Sequence, residues 1–344
     1  SANGNSPTYS VPTTVTLSMY YRLILTDLVT GCDDPESNAI PVSVVSPASV
    51  TISAQDDTVC LGAITLISST ITGGSGLYTY QWQQSPNGTS GWANVPANGN
   101  TASYTVPTLV PQHFFYRLLV TDSANGCADP ISNTTPVTVQ NEPVLNASAN
   151  NPIVCINGVS VISTTITGGS GSFVYQWQIS PDGTSNWNNV SSGGNGPTYN
   201  VPTSTAGTFY YRIILTDTAN GCDDPAPVVV LIEVESQPTV SISATNTNLC
   251  IGGSSTISSV VSNGSGFFTY QWQSSADATT WANITNQGNG VSYNVPTGTP
   301  NSTYYRVLVT DAANGCNDPI SNNVFIIVQN QPTVSISLNN PVVC

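Results

Sequence analysis

Tyr80-Gln81-Trp82-Gln83 recurs as Tyr175-Gln176-Trp177-Gln178 and as Tyr270-Gln271-Trp272-Gln273, a step of 95 residues each time. Other features keep that step. Tyr-Arg pairs place arginine at 22, 117, 212 and 306, and Gly-Cys pairs place cysteine at 32, 127, 222 and 316. A second cysteine series runs 60, 155, 250 and 344. The one shortened copy loses its residue between Trp272 and Trp281, where the earlier copies space the two tryptophans by ten. Self-similarity at a fixed period marks a chain of stacked units. It divides the 344 residues into whole repeats at 47–141, 142–236 and 237–330. Residues 1–46 read as the last strands of a preceding repeat, and 331–344 as the first strand of a following one.

Within a repeat the apolar residues alternate, the signature of half-buried strands. In the first whole repeat, strands are expected at 50–54, 63–72, 77–85, 103–106, 114–122 and 132–140, with a short one around Trp92 and Val95. Gly73-Gly74-Ser75-Gly76 and Pro86-Asn87-Gly88 are the turns between them. About seven short strands with a tryptophan on the third predict an immunoglobulin-like β-sandwich. The fold class is therefore all-β: tandem sandwiches of about 95 residues. The joins, such as Gln140-Asn141-Glu142-Pro143 and Glu235-Ser236-Gln237-Pro238, are short and carry proline instead of a glycine-serine linker. Short proline joins predict a stiff rod.

Charge narrows the function. The chain has no lysine, only four arginines and 18 carboxylates, for a net charge of −14. Nucleic acid and anionic membranes both attract basic surfaces, so neither is an expected partner. No apolar run reaches the length of a membrane span. The single histidine, His113, belongs to one copy only. A Ser-His-Asp or Cys-His site thus has no repeated basis, and there is no lysine for a Schiff base or for a Lys–Asn isopeptide crosslink. The expectation is a non-enzyme that needs no cofactor.

The stretches Val59-Cys60-Leu61-Gly62, Gly73-Gly74-Ser75-Gly76, Tyr80-Gln81-Trp82-Gln83, Tyr116-Arg117 and Thr121-Asp122 through Gly126-Cys127 resemble the Ig-like and PKD-like repeats of giant Bacteroidota surface proteins. That group includes gliding adhesins exported by type IX secretion. The resemblance implies an extracellular, cell-surface location and a structural filament or adhesin stalk. The alternative is a multivalent glycan- or ligand-binding array, or the accessory region of a secreted hydrolase. The implied partners are neighbouring repeats, other filament chains or surface glycans. The resemblance also implies O-glycosylation at Asp-Ser/Thr-apolar triplets, which puts Thr58, Ser123 and Thr218 forward.

Three residue sets have chemical readings. Trp92, Trp187 and Trp281 follow polar turns and are either folded over the core or open for sugar stacking. Arg117, the sole cation of its repeat, is expected to pair with an aspartate near the loop that follows its strand. That loop carries Asp122 and Asp129, repeated as Asp217/Asp224 and Asp311/Asp318. Two carboxylates around a glycine turn fit either a Ca²⁺ site or turn caps.

The cysteines Cys32, Cys60, Cys127, Cys155, Cys222, Cys250, Cys316 and Cys344 are expected to form disulfides. Two pairings are open. In a sandwich the loop before the second strand and the loop after the sixth lie at opposite ends. A seven-residue strand already spans about 23 Å, whereas bridged Cα atoms lie within about 7 Å. Cys60 also alternates out of phase with the expected core positions Val59, Leu61 and Ile67, so it is expected to point away from the sandwich interior. This layout favours links between neighbours, Cys60–Cys222 and Cys155–Cys316. The within-repeat set Cys60–Cys127, Cys155–Cys222 and Cys250–Cys316 stands if the strand near Cys60 is placed differently.

Overall fold

The computed structural model describes residues 4–124 and 126–339. Cys344 lies outside them. The described chain is strand and loop with no helix. It opens on an antiparallel hairpin, β1 (Leu17–Tyr21) and β2 (Ile40–Val44). The first whole repeat holds β3 (Ser49–Ala54), β4 (Thr58–Cys60), β5 (Leu66–Thr72), β6 (Tyr78–Ser85), β7 (Ala93–Asn94), β8 (Ser103–Thr105), β9 (Gln112–Asp122) and β10 (Thr135–Gln140). The second holds β11 (Val144–Ala149), β12 (Ile153–Cys155), β13 (Val161–Thr167), β14 (Phe173–Ser180), β15 (Asn188–Asn189), β16 (Thr198–Asn200), β17 (Gly207–Asp217) and β18 (Val228–Glu235). The third holds β19 (Thr239–Ala244), β20 (Asn248–Cys250), β21 (Thr256–Ser262), β22 (Phe268–Ser275), β23 (Ala282–Asn283), β24 (Ser292–Asn294), β25 (Asn301–Asp311) and β26 (Val324–Gln329).

Each repeat is a two-layer Ig-like sandwich. In the first, one sheet has the order β3-β5-β8 and the other β4-β10-β9-β6-β7. The strand β4 is the part the alternation did not reveal. Residues 58–60 were expected to be loop, but they leave the first sheet and run parallel to β10, Cys60 beside Gln140. Both strands therefore finish at the same end of the sandwich, where Gln140 leads into the next repeat. The same parallel pairing sets Cys155 beside Glu235 and Cys250 beside Gln329.

Alternation explains the core. Tyr116, Leu118 and Val120 of β9 point inward with Trp82 of β6, and all are buried. They meet Val50, Ile52 and Ile67 from the facing sheet. Trp82 has no exposed surface, and its indole N–H donates to the carbonyl of Thr101 at 2.9 Å. Its ring lies 5.9 Å from Tyr104, which lies 5.7 Å from Tyr116. Trp177 and Trp272 repeat the burial and the indole bond, to Gly196 and Gly290. An indole or phenol brought inside needs a partner for its polar end, and these have one.

The turns after β6, β14 and β22 are held by a carboxylate or amide. Asp182 accepts from the N–H groups of Thr184 (2.9 Å) and Ser185 (2.7 Å), and from the Ser185 and Ser180 hydroxyls. Asp277 accepts from Thr279 and Thr280 N–H, both at 2.8 Å. These donors stabilise the charged form, the Ser185 hydroxyl most for Asp182 and the Thr280 N–H most for Asp277, and hold both carboxyls well below the usual range. A lowered folded-state pKa gives stability that is present above the unfolded carboxylate value of about 4 and lost as pH falls through the folded one. Thermal unfolding from pH 7 down to pH 2 is expected to show a shallower acid decline in Asp182→Asn than in the unmodified chain; superimposable profiles would contradict the cap.

Candidate functional site

Two compact units make up the described chain, and their limits do not follow the repeats. The first takes in residues up to Val144 together with Gly168–Phe173 and Asp217–Asp224, two turns of the second repeat. The second holds Leu145–Thr167, Val174–Thr216 and the described residues from Pro225 onward. The turns that cross over in this way carry the candidate site.

The acidic loop is its scaffold. Asp217 takes the Ser170 N–H at 2.7 Å, the Ser170 hydroxyl at 2.5 Å and the Ala219 N–H at 3.1 Å, while its own N–H donates to Asp224 at 3.0 Å. Asp311 does the same with Ser265, Ala313 and Asp318, and Asp122 with Ser75, Ala124 and Asp129. The Ser75 hydroxyl and N–H hold the Asp122 carboxyl below its ordinary value. The six aspartates are thus brought together in pairs, and the oxygens named here face N–H and O–H donors as turn caps do. Each pair fixes the Gly-Cys step between its members.

That step docks on the preceding repeat. The carbonyl of Asn220 accepts the Cys60 N–H at 3.2 Å, and its amide donates to the carbonyl of Ile64 at 3.0 Å and to Asp56 at 2.9 Å. Gly221 sits so close to Ala63 that an added Cβ would lie 2.2 Å from the alanine methyl, at a φ of +73° that favours glycine anyway. Cys60 and Cys222 are joined, with Cα atoms 4.8 Å apart. The next junction has Asn314 accepting from Cys155 N–H at 3.0 Å and from Val159 N–H at 2.6 Å, and joins Cys155 to Cys316 at the same Cα separation of 4.8 Å. Gln237 clamps this second loop: its amide donates to Ile156 and Gly315 carbonyls, and its oxygen accepts from Asn317 N–H. Glu142 stands in its place at the first junction and accepts from Asp223 N–H at 2.8 Å. Cys60, expected to point out of the sandwich, is wholly buried, because the docked loop covers it.

The other cysteines stand apart. Cys32 is an exposed thiol, and Cys127 and Cys250 are half-buried thiols. Desolvation and then the nearby Asp122 carboxylate push the Cys127 thiol up. The sulfurs of each disulfide lie within 4.8 Å of an oxygen of Asp217 or Asp311, but sulfur in a disulfide is not the thiolate a metal requires. Of the proposed glycosylation positions, Thr58 begins β4, while the hydroxyls of Ser123 and Thr218 donate to the carbonyls of Leu77 and Ser172.

Arg117 does not reach an aspartate. Its neighbour across the sheet is Gln83, directly opposite on β6, whose oxygen accepts from the guanidinium at 2.9 and 2.7 Å. Asp122 is five residues further along β9. The guanidinium carbon lies 4.3 Å over the Trp92 ring, and Arg212 over Trp187 and Arg306 over Trp281 match it at 4.5 and 4.2 Å. One ring face of each candidate sugar platform is therefore taken by arginine. Arg117→Lys keeps the charge but loses the planar stack and fork. It is expected to cost about 1 kcal/mol in denaturant unfolding; an unchanged midpoint would contradict this. A Tyr-Arg step facing a Trp two strands away is the signal that identifies the stack in retrospect.

A family profile described as Domain of unknown function (DUF8696) matches residues 48–141, 146–236 and 239–330. The chain belongs to this family. No curated protein matches the chain. Among solved structures, the three N-terminal domains of the bacteriophage RB49 Highly Immunogenic Outer Capsid protein (Hoc) are similar at 11% identity and a TM-score of 0.46, covering 83% of this chain and 100% of that one. The chicken CNTN1 FN1–FN3 domains are similar at 15% identity and a TM-score of 0.35, covering 83% and 100%. The three DUF8696 repeats of this chain are consecutive Ig-like sandwiches, with disulfides joining each to the next. No helix of the described residues is long and apolar enough to cross a membrane. The two disulfides fit an extracellular protein.

Proposed function

We propose that this chain is a non-catalytic structural segment of a long extracellular filament or surface-adhesin stalk, in which each DUF8696 repeat is disulfide-stapled to the next. The observation that carries the reading is the recurrence of one staple, with the same Asn-Gly-Cys loop, in successive repeats. A catalytic or ligand site needs one copy of its residues. A staple repeated in register acts at every join and adds a second covalent connection beside the backbone. The disulfides support export to an oxidising compartment, and the absence of lysine leaves cysteine as the crosslinking residue. The reading needs no cofactor. A Ca²⁺-dependent rise in unfolding temperature at fixed ionic strength would assign the Asp122/Asp129 pairs to cation binding as well.

Immunogold electron microscopy with antibodies to this chain, on the cells that make it, tests the proposal. Label along fibres or projections outside the cell is expected; label confined to the cell interior would overturn it. The glycan-array reading draws support from a groove present in two repeats, beside Asn189, Tyr199 and Phe209 in one and Asn283, Tyr293 and Thr303 in the other. Specific binding to a printed glycan array, abolished by substitutions in that groove, would favour it over a passive stalk.

A further inference from the structure

The third repeat repeats the socket that holds the loop in the first two, and its cysteine is free. Cys250 ends β20 beside Gln329, as Cys60 and Cys155 end their strands beside Gln140 and Glu235. The turn that follows is built alike: Ile251 N–H donates to Gln329 and Gly253 N–H to Cys250, matching Ile156 to Glu235 and Gly158 to Cys155. The position that meets the incoming loop is small in all three, as Ala63, Gly158 and Gly253. At Gly158 the fit is close: an added Cβ would lie 2.4 Å from the docked carbonyl of Asn314 unless the loop shifted.

An independent observation is the clamp. Gln331 already donates to the carbonyl of Ile251 at 2.8 Å, as Gln237 does to Ile156 at 3.1 Å. At the socket of the second repeat Gln237 also holds Gly315 and Asn317 of the arriving loop. Among the described residues nothing stands to Cys250 as Asn314 stands to Cys155.

From this we infer that the end of the third repeat is a binding surface for the Asn-Gly-Cys loop of a further copy of the repeat, with Cys250 the sulfur that captures it. This extends the stapled-stalk reading and rests on it. The backbone groups around Cys250 would receive the asparagine as Cys155 and Val159 receive Asn314, and Gln331 would close over the loop from the other side. The bond forms when the two thiols give up two protons and two electrons to a low-molecular-weight disulfide. Glutathione disulfide serves as that oxidant in the test, and it leaves as two glutathione thiols.

The test lengthens the chain by one repeat. Residues 239–330 are placed directly after Pro332, which retains Gln331, and the product is oxidised in a glutathione buffer and mapped by peptide mass spectrometry. A second extension, with residues 144–236 at the same place, guards against one added repeat failing to fold. The expected result is Cys250 linked to the loop cysteine of the added repeat, at least about tenfold in excess over its glutathione adduct. Replacing the asparagine of the added loop with alanine is expected to lower the linked fraction severalfold at an intermediate redox potential. If Cys60–Cys222 and Cys155–Cys316 form while Cys250 stays free, carries glutathione or bonds another sulfur in both extensions, the inference is overturned and the stapled-stalk reading stands. If those two staples fail as well, the stapled-stalk reading itself falls.

Discussion

A single proteolytic cut anywhere between Cys60 and Cys316 is expected to leave the oxidised chain in one covalent piece. Cys60–Cys222 spans 162 residues and Cys155–Cys316 spans 161, more than the length of a repeat, so the two loops overlap between Cys155 and Cys222. At least one disulfide bypasses every peptide bond in that interval, and both bypass those in the overlap. Exposed turns such as Thr89-Ser90-Gly91 are where nicking concentrates, and a nick there breaks one connection out of two. Limited proteolysis read on denaturing gels should show the full mass without reductant and fragments with it. In Cys222→Ser, a cut before Cys155 should release a fragment in either lane. Release from the unmodified chain without reductant would contradict the overlap. For a stalk under tension, the same arithmetic means that damage within one sandwich does not sever the molecule.

The second large effect is in the core. Trp82→Ala removes the largest fully buried side chain of its repeat, its ring contact with Tyr104 and the donor to Thr101. Truncating a buried tryptophan costs about 3–5 kcal/mol, and the Thr101 carbonyl loses its indole partner, roughly another 1 kcal/mol. Such a loss is a large share of the stability of a 95-residue domain. Denaturant unfolding should show an early transition for one repeat while the rest keep theirs. The contrast is Trp92→Ala, on a ring held by one guanidinium at the sheet surface, which is expected to cost about 1 kcal/mol. Equal effects at the two positions would contradict the assignment of Trp82 to the interior.

The sandwich was legible because alternation and period are properties of the sequence itself. Trp82, Leu118 and Val120 recur in phase, and phase determines which face of a strand is buried. Residues 58–60 were not legible as a strand, since three residues are too few to show alternation and their partner, β10, lies about 80 residues away. Phase did place Cys60, which alternates with Val59, outside the core cluster of its sandwich. Its burial comes from Asn220 and Cys222, residues of the following repeat. The Arg117 stack was missed for a related reason. Charge counting directs an arginine to the nearest acid, whereas sheet register sets it opposite Gln83. The aspartate pairs were recognisable as a unit, their spacing serves a cation and a turn cap equally, and the donors around Asp122 supply the capping contacts.

The arginines make the central claim directly measurable. Trypsin has only four sites here, after Arg22, Arg117, Arg212 and Arg306, because the chain has no lysine. The oxidised chain, with free thiols alkylated, is denatured and digested to completion without reductant, and the products are weighed by mass spectrometry. Stapled neighbours give two separate disulfide-linked pairs: residues 23–117 joined to 213–306 through Cys60–Cys222, and 118–212 joined to 307–344 through Cys155–Cys316. Bridges inside each repeat would instead give one product, with 23–117, 118–212, 213–306 and 307–344 linked in series through Cys60–Cys127, Cys155–Cys222 and Cys250–Cys316. The two linked pairs are the predicted result, and the single series product would contradict the account.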